Sequence, residues 1–356
     1  MISEFLNKAR MYEDDGNNEE AVHWYRKAAE MGDKEAQYNL GYAYEYGDGV
    51  EEDMEQAVYW YTKAAEQNYA EAQYSLGYAY EYGEGVEENA QLAAFWYSKA
   101  AEQDHAEAQY CLGYAYEYGE GVEENIEIAF EWYRKAAELG APTAQYKLGS
   151  VEKDVHKAME WYKKAAEQDH AESLYRLGMC YENGWLGYKN LEEAFNYYKK
   201  AAEQKHTVAL FNLGVFYERG IAVAQNLPEA FVCYREASEK GHIPAVFNMA
   251  SIQERAGYYT EAFNNYQKAA ENNFASAQYN LGVLYERGCG TIQDAERALY
   301  WYLKAAEQGH LDAQFNAGNC YQNGIGTSIN LEQARHWFTR AAEQGDQEAA
   351  YRLRQL

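Results

Sequence analysis

Two patterns of apolar positions alternate along the chain, and both have helical period. In the first, Ala36, Leu40 and Tyr44 stand at i, i+4 and i+8, which gives one apolar stripe. In the second, Ala57, Trp60, Tyr61, Ala64 and Ala65 follow i, i+3, i+4, i+7 and i+8, again a single face. Between them lies Gly47-Asp48-Gly49-Val50, a turn in which Gly47 is placed to end the first helix in the left-handed conformation. Asp53 with Gln56 three residues on predicts the start of the second helix through a capping box, and Asn190 with Glu193, Asn226 with Glu229 and Asn330 with Gln333 repeat the device. Gly140, Gly241, Gly309 and Gly345 are expected to stop second helices.

The pair of patterns recurs. A Leu-Gly step places its glycine at Gly41, Gly77, Gly113, Gly149, Gly178, Gly214, Gly282 and Gly318, with Ala250 in one slot, and most steps are thirty-six residues. A second anchor, Trp60-Tyr61-Thr62-Lys63-Ala64-Ala65, is repeated with variations as far as Trp337-Phe338-Thr339-Arg340-Ala341-Ala342. Nine units are therefore expected over 36–348, with short ones at about 144–172 and 245–276. A helix pair at 1–35 is expected to cap the N-terminal end and a helix over 349–356, with Arg352, Arg354 and Gln355 outward, the other. One helix pair cannot bury its own apolar face, so each unit leans on its neighbours and stability is quasi-one-dimensional. The glycines let helices approach closely, and Trp60 and Tyr61 are expected to fill the space between neighbouring pairs.

Composition narrows the classes of function. With 47% hydrophobic and 25% charged residues the chain has ample material for a core. A net charge of −26 and the absence of any basic run argue against nucleic acid, which needs clustered Lys and Arg. No stretch approaches the ~18 apolar residues of a membrane span. The first residues show no charged leader followed by an apolar core, so a cytoplasmic location is expected, or export without a visible N-terminal signal. Cys111, Cys180, Cys233, Cys289 and Cys320 share no spacing and read as reduced thiols, with no metal site among them. His105, His170, His206, His242 and His310 share the turn after the second helix, too far apart to form a metal ladder. No phosphate-binding loop, zinc-protease helix or nucleophile elbow occurs, and the many Gly-x-Gly pairs are repeat turns. Neither an enzyme nor a cofactor is expected.

The run A-x-x-x-L-G-x-x-Y-x-x-G-x-G-V, followed by D/N-x-x-x-A-x-x-W-Y-x-K-A-A, closely resembles the SEL-like repeat (SLR) family, relatives of the tetratricopeptide repeat, over about 36–348. Residues 1–35 and the shortened unit 245–276 look more like tetratricopeptide repeats. The resemblance implies an all-α, right-handed α/α superhelical solenoid of helix-turn-helix repeats whose first helices line a concave groove. It implies an adaptor or scaffold binding segments of protein partners. The family also implies an alternative, a bacterial effector or virulence-associated protein acting on host proteins. Its cysteine-rich branch, linked to β-lactam binding or hydrolysis, is a lesser alternative, because the cysteine pattern of that branch is missing here.

Carried onto this chain, the groove should be lined by Tyr42, Glu45 and Tyr46, then Tyr78, Glu81 and Tyr82, then Tyr114, Glu117 and Tyr118, with Tyr38, Tyr74 and Tyr110 at its edge. Residues 36–143 hold 22 acidic against 4 basic side chains. Tyrosine with glutamate suits a basic peptide through cation–π and charge-assisted contacts. The competing reading is that the tyrosines pack between repeats and the acids are solvated or serve helix starts. Later units carry Arg219, Arg255 and Arg287 after a glutamate, which could receive an acidic segment or a C-terminal carboxylate, or simply pair with glutamates along the groove. Trp185 alone among the tryptophans lies outside the aromatic slot, in the apolar turn Gly184-Trp185-Leu186-Gly187-Tyr188, and is either a contact site or a fold-over onto its neighbour.

Overall fold

The computed structural model describes residues 1–356. It contains helices and turns and no strand. Two compact units divide it, residues 1–173 and 174–356. In the first, helices pair in chain order: α1 (Ile2–Asp14) with α2 (Asn18–Glu30), α3 (Lys34–Tyr46) with α4 (Met54–Glu66), α5 (Ala70–Tyr82) with α6 (Ala90–Ala101), α7 (Ala106–Tyr118) with α8 (Ile126–Glu138), and α9 (Pro142–Val151) with α10 (Val155–Ala166). The boundary falls within α11 (Ala171–Asn183), which precedes α12 (Leu191–Glu203). The second unit continues with α13 (Thr207–Arg219) and α14 (Leu227–Glu239), α15 (Ile243–Arg255) and α16 (Tyr259–Glu271), α17 (Ala275–Arg287) and α18 (Ala295–Glu307), α19 (Leu311–Asn323) and α20 (Leu331–Glu343), and ends in α21 (Gln347–Leu353). From α1 to α10 and again from α12 to α21, each helix packs on its sequence neighbours, so the cores of the two units are chains of small clusters.

The starts and stops follow from local chemistry. Asp53, Asn89, Asn125, Asn226 and Asn330 cap second helices, each carboxylate or amide oxygen accepting from a backbone N–H in the first turn. Gly47, Gly83, Gly119, Gly220, Gly288 and Gly324 end first helices with positive φ. After second helices the expected glycines again have positive φ, but one residue beyond the cap; where they are missing, Asn68, Asp104, Asp169, Lys205 and Asn273 take the same left-handed conformation. In the unit lacking a turn segment, α9 runs into the extended residue Glu152 and α10 starts again at Val155.

Two glycines explain the repeat's close packing. A Cβ on Gly113 would stand 2.8 Å from the ring of Tyr133 in the partner helix of the same pair. The second turn glycine, Gly121, has φ 73° and lies so close to the preceding second helix that a Cβ would meet the Ala90 carbonyl oxygen at 2.0 Å. The structure corrects the expectation for Tyr61: its ring fills the gap over Gly41 inside its own pair. Bridging falls to the tryptophan, since Trp60 packs on the cluster that contains Ala28 and Ala29 of the preceding pair, as Trp96 does on that of Tyr61.

Candidate functional site

The tyrosines that fill each pair are buried rings with a hydroxyl to satisfy. Tyr61 donates to Glu45 at 2.5 Å, Tyr97 to Glu81, and Tyr133 to Glu117 at 2.6 Å. The clasp continues in the second unit, Tyr198 to Glu182, Tyr234 to Glu218 and Tyr302 to Glu286, sixteen residues apart each time. Where the long turn is absent the spacing drops to twelve, as in Tyr25 to Glu13 and Tyr266 to Glu254. Burial, with the neighbouring carboxylate adding to it, pushes the Tyr61 and Tyr133 phenols far up, so they remain donors at any ordinary pH. The pair α19–α20 lacks the clasp: Phe338 has no hydroxyl, its counterpart is Gln322 instead of glutamate, and the Gln322 side-chain oxygen is buried without a partner.

The expected groove residues come together in the first unit. Tyr42, Tyr78 and Tyr114 lie exposed on α3, α5 and α7 at 45, 39 and 37%. Each ring packs, tilted by about 40°, with its centroid 4.5 Å from that of the tyrosine one turn on, Tyr46, Tyr82 or Tyr118, also exposed. A hollow of about 740 Å³ opens beside α5 and α7, lined among others by Tyr78, Glu81, Tyr82, Tyr114, Glu107 and Glu120. A second, of about 340 Å³, is lined by Tyr42, Glu45, Tyr46 and Glu84, and shares Tyr74 and Tyr78 with the first. Together they form one groove across α3, α5 and α7, with no lysine or arginine in its lining. Tyr38 packs on Tyr61 and Tyr69, and Tyr110 on Tyr133, half-buried beneath the exposed rows. Glu117 and Tyr118 line neither hollow: Glu117 holds the Lys147 ammonium at 2.8 Å, and the same ammonium lies 5.9 Å from the Tyr118 ring centroid.

The electrostatics suit cations. The Tyr46 phenol is pushed up to about 12, first by its hydrogen bond to Glu45 and then by burial, and that of Tyr82 to about 12, first by burial and then by Glu81. Cys111, on the wall of the larger hollow, is pushed up to about 12 by burial and by Glu81, so its thiol stays protonated and is a poor nucleophile. No group of three His, Cys, Asp or Glu side chains stands where it could hold a metal ion. No helix is long and apolar enough to cross a membrane.

The other expected residues are scattered. Arg255 pairs with Glu218, while Arg219 and Arg287 are exposed at the ends of α13 and α17. Trp185 is 48% exposed in the turn after α11, its backbone N–H donating to the Cys180 carbonyl, with Tyr188 exposed nearby.

Two working sets of polar residues gave no signal in the apolar periodicity. Gln37, Gln73, Gln109, Gln145, Gln278 and Gln314 are buried, and each donates to a carbonyl near the end of the preceding second helix at 3.1–3.2 Å. The turn histidines His105, His170, His206, His242 and His310 stand at helix starts, Nδ1 accepting from the backbone N–H three residues on. Recurrence at one repeat position was the available clue to both.

The Sel1 repeat profile matches ten segments, residues 14–33, 34–69, 70–105, 106–140, 142–170, 171–206, 207–242, 259–274, 275–310 and 311–346. Among solved structures the chain is similar to c5321, a protective antigen present in uropathogenic Escherichia coli strains and displaying an SLR fold. Identity is 34%, over 99% of this chain and 78% of that one, with a TM-score of 0.79. A Sel1 repeat protein from Oxalobacter formigenes is 28% identical over 94% of this chain and 90% of its own, with a TM-score of 0.45. No curated protein sequence matches. Profile matches along nearly the whole chain, on paired helices of that fold, have one reading: the protein belongs to the Sel1 repeat family, helical solenoids related to the tetratricopeptide repeat.

Proposed function

We propose that the protein is a non-catalytic scaffold whose first unit holds an extended, basic segment of a partner protein in the groove across α3, α5 and α7. The observation that carries this is the lining: five exposed tyrosines, Tyr42, Tyr46, Tyr78, Tyr82 and Tyr114, and several carboxylates face two adjoining hollows that contain no lysine or arginine. Cationic side chains gain from both groups, through ring faces and through charge-assisted hydrogen bonds. On the same reading the pair at 1–35 and the helix over 349–356 close the ends of the array, and the units over 36–348 carry the binding surface.

The test is fluorescence anisotropy of a labelled octalysine peptide against the wild-type chain and the triple variant Tyr42→Ala, Tyr78→Ala, Tyr114→Ala. These side chains are exposed, so helicity should stay native while binding falls at least tenfold. Native helicity with unchanged binding would show that the groove is the wrong surface.

A second reading places the same binding activity outside the producing cell, against host proteins. Its support is the 34% identity to a protein described as a protective antigen of uropathogenic Escherichia coli. Fractionation of the producing cells separates the two: protein confined to the cytoplasm supports the scaffold alone.

A further inference from the structure

Lys147 shows what the groove's carboxylates accept. Its ammonium lies 2.8 Å from Glu117 Oε1, with the Tyr133 ring centroid at 5.6 Å and that of Tyr118 at 5.9 Å, while the Tyr133 hydroxyl holds Glu117 Oε2 at 2.6 Å. The result is a niche made of one clasped glutamate and two tyrosine rings, closed by the chain's own lysine. The same three residues recur one and two repeats earlier, as Glu81 with Tyr82 and Tyr97, and as Glu45 with Tyr46 and Tyr61. The residue just before the Leu-Gly step is Lys147 in the third case, but Cys111 and Ser75 in the other two, and both are too short to carry a cation. No ion pair is made by Glu45 or Glu81, and each lines one of the two hollows, whereas Glu117 lines neither. The second unit repeats the lesson with a different donor, since its clasped Glu218 takes the guanidinium of Arg255.

We propose that the niches at Glu45 and Glu81 are receptors for two lysine ammonium groups of one partner segment, and that Lys147 stands in for a third and so ends the site. This rests on the basic-segment reading of the groove and adds its register. Successive niches lie one repeat apart, about one helix diameter or ~10 Å. A polyproline II strand rises about 3.1 Å per residue and returns to the same face every third residue, so lysines three apart are spaced by ~9 Å. The segment recognised is Lys-x-x-Lys in extended conformation.

The test uses fluorescein-labelled (Lys-Pro-Pro)2 and (Lys-Pro-Pro)3, and the same peptides with acetylated lysines, titrated by anisotropy. On the wild-type chain the two peptides should bind within about twofold of each other, and acetylation should abolish binding. Lys147→Ser, which installs the residue of the first niche, should open the third, so that (Lys-Pro-Pro)3 binds roughly tenfold tighter than (Lys-Pro-Pro)2, the worth of one charge-assisted contact. Lys147→Asn provides a second variant, because Asn212, Asn248, Asn280 and Asn316 occupy that place in other repeats. If the folded variants bind both peptides equally while wild-type binding still depends on Tyr42, Tyr78 and Tyr114, the niche register is overturned and the basic groove stands. If no lysine peptide binds the wild-type chain, both are overturned.

Discussion

The tyrosine–glutamate clasp can be tested in both directions within the second unit, because one repeat has it and another has lost it. Tyr234 is fully buried and donates to Glu218 Oε2 at 2.7 Å. Tyr234→Phe keeps the ring against Gly214 and removes only the hydroxyl, so no packing is lost. A hydrogen bond to a charged acceptor contributes about 1.5–3 kcal/mol net. Glu218 is 19% exposed and keeps its ion pair with Arg255, so water and the guanidinium recover part of the loss. The lower end follows, a destabilisation of about 1.5 kcal/mol. The reverse change, Phe338→Tyr, adds a hydroxyl where the Gln322 oxygen is buried and unpartnered. The Phe338 ring lies 2.7 Å from the Cβ position of Gly318, as the Tyr302 ring does from that of Gly282, so the new hydroxyl should fall in the slot that carboxylates occupy elsewhere. A gain of about 1 kcal/mol is expected for a neutral pair. Urea unfolding followed by circular dichroism reads both, and the double variant should return the sum to within about 0.5 kcal/mol because the sites share no partner. A stabilising Tyr234→Phe, or a Phe338→Tyr that lowers the midpoint, would refute the clasp as a source of stability.

Acid should loosen the helix starts. Burial holds His105, His170, His242 and His310 below their ordinary value of 6.5, against the pull of Glu71, Glu107, Glu172 and Asp312. An imidazole that accepts a cap hydrogen bond must be neutral, so the caps contribute fully above the unfolded pKa and are lost as pH falls through the lowered folded values. The urea midpoint should fall from about pH 7 towards pH 5, and replacing the four histidines by asparagine should flatten that slope; an unchanged slope would refute the assignment. Gly113→Leu should destabilise by about 1–3 kcal/mol by forcing the Tyr133 ring away, measured as a lower unfolding midpoint. Ala222 holds φ 57° where other repeats have the second turn glycine, and Ala222→Gly should raise stability by up to about 1 kcal/mol in the same assay.

How much of this was visible beforehand depends on what each residue has to satisfy. Helix positions were legible because Leu40, Tyr61 and Ala64 obey a period that burial alone enforces, and the turns because Gly47 and Asp53 answer to backbone geometry. Gln37 and Glu45 obey neither constraint. Their places are set by acceptors and donors on other helices, the Ala29 carbonyl and the Tyr61 hydroxyl, so one repeat gives no reason to distinguish them from solvated polar residues. Between repeats the reason appears: the clasp keeps sixteen residues where the long turn is present and twelve where it is absent, and glutamate becomes glutamine where tyrosine becomes phenylalanine. The groove sits between these cases. Its exposed tyrosines followed from the stripe they avoid, whereas the glutamates have a structural duty to the core before any partner arrives. That double use sets a condition on the basic-segment reading. A cation entering beside Glu81 shares a carboxylate already clasped by Tyr97, so Glu81→Gln should weaken a lysine peptide while leaving the clasp an acceptor, and Tyr97→Phe should lower stability first and binding only through it.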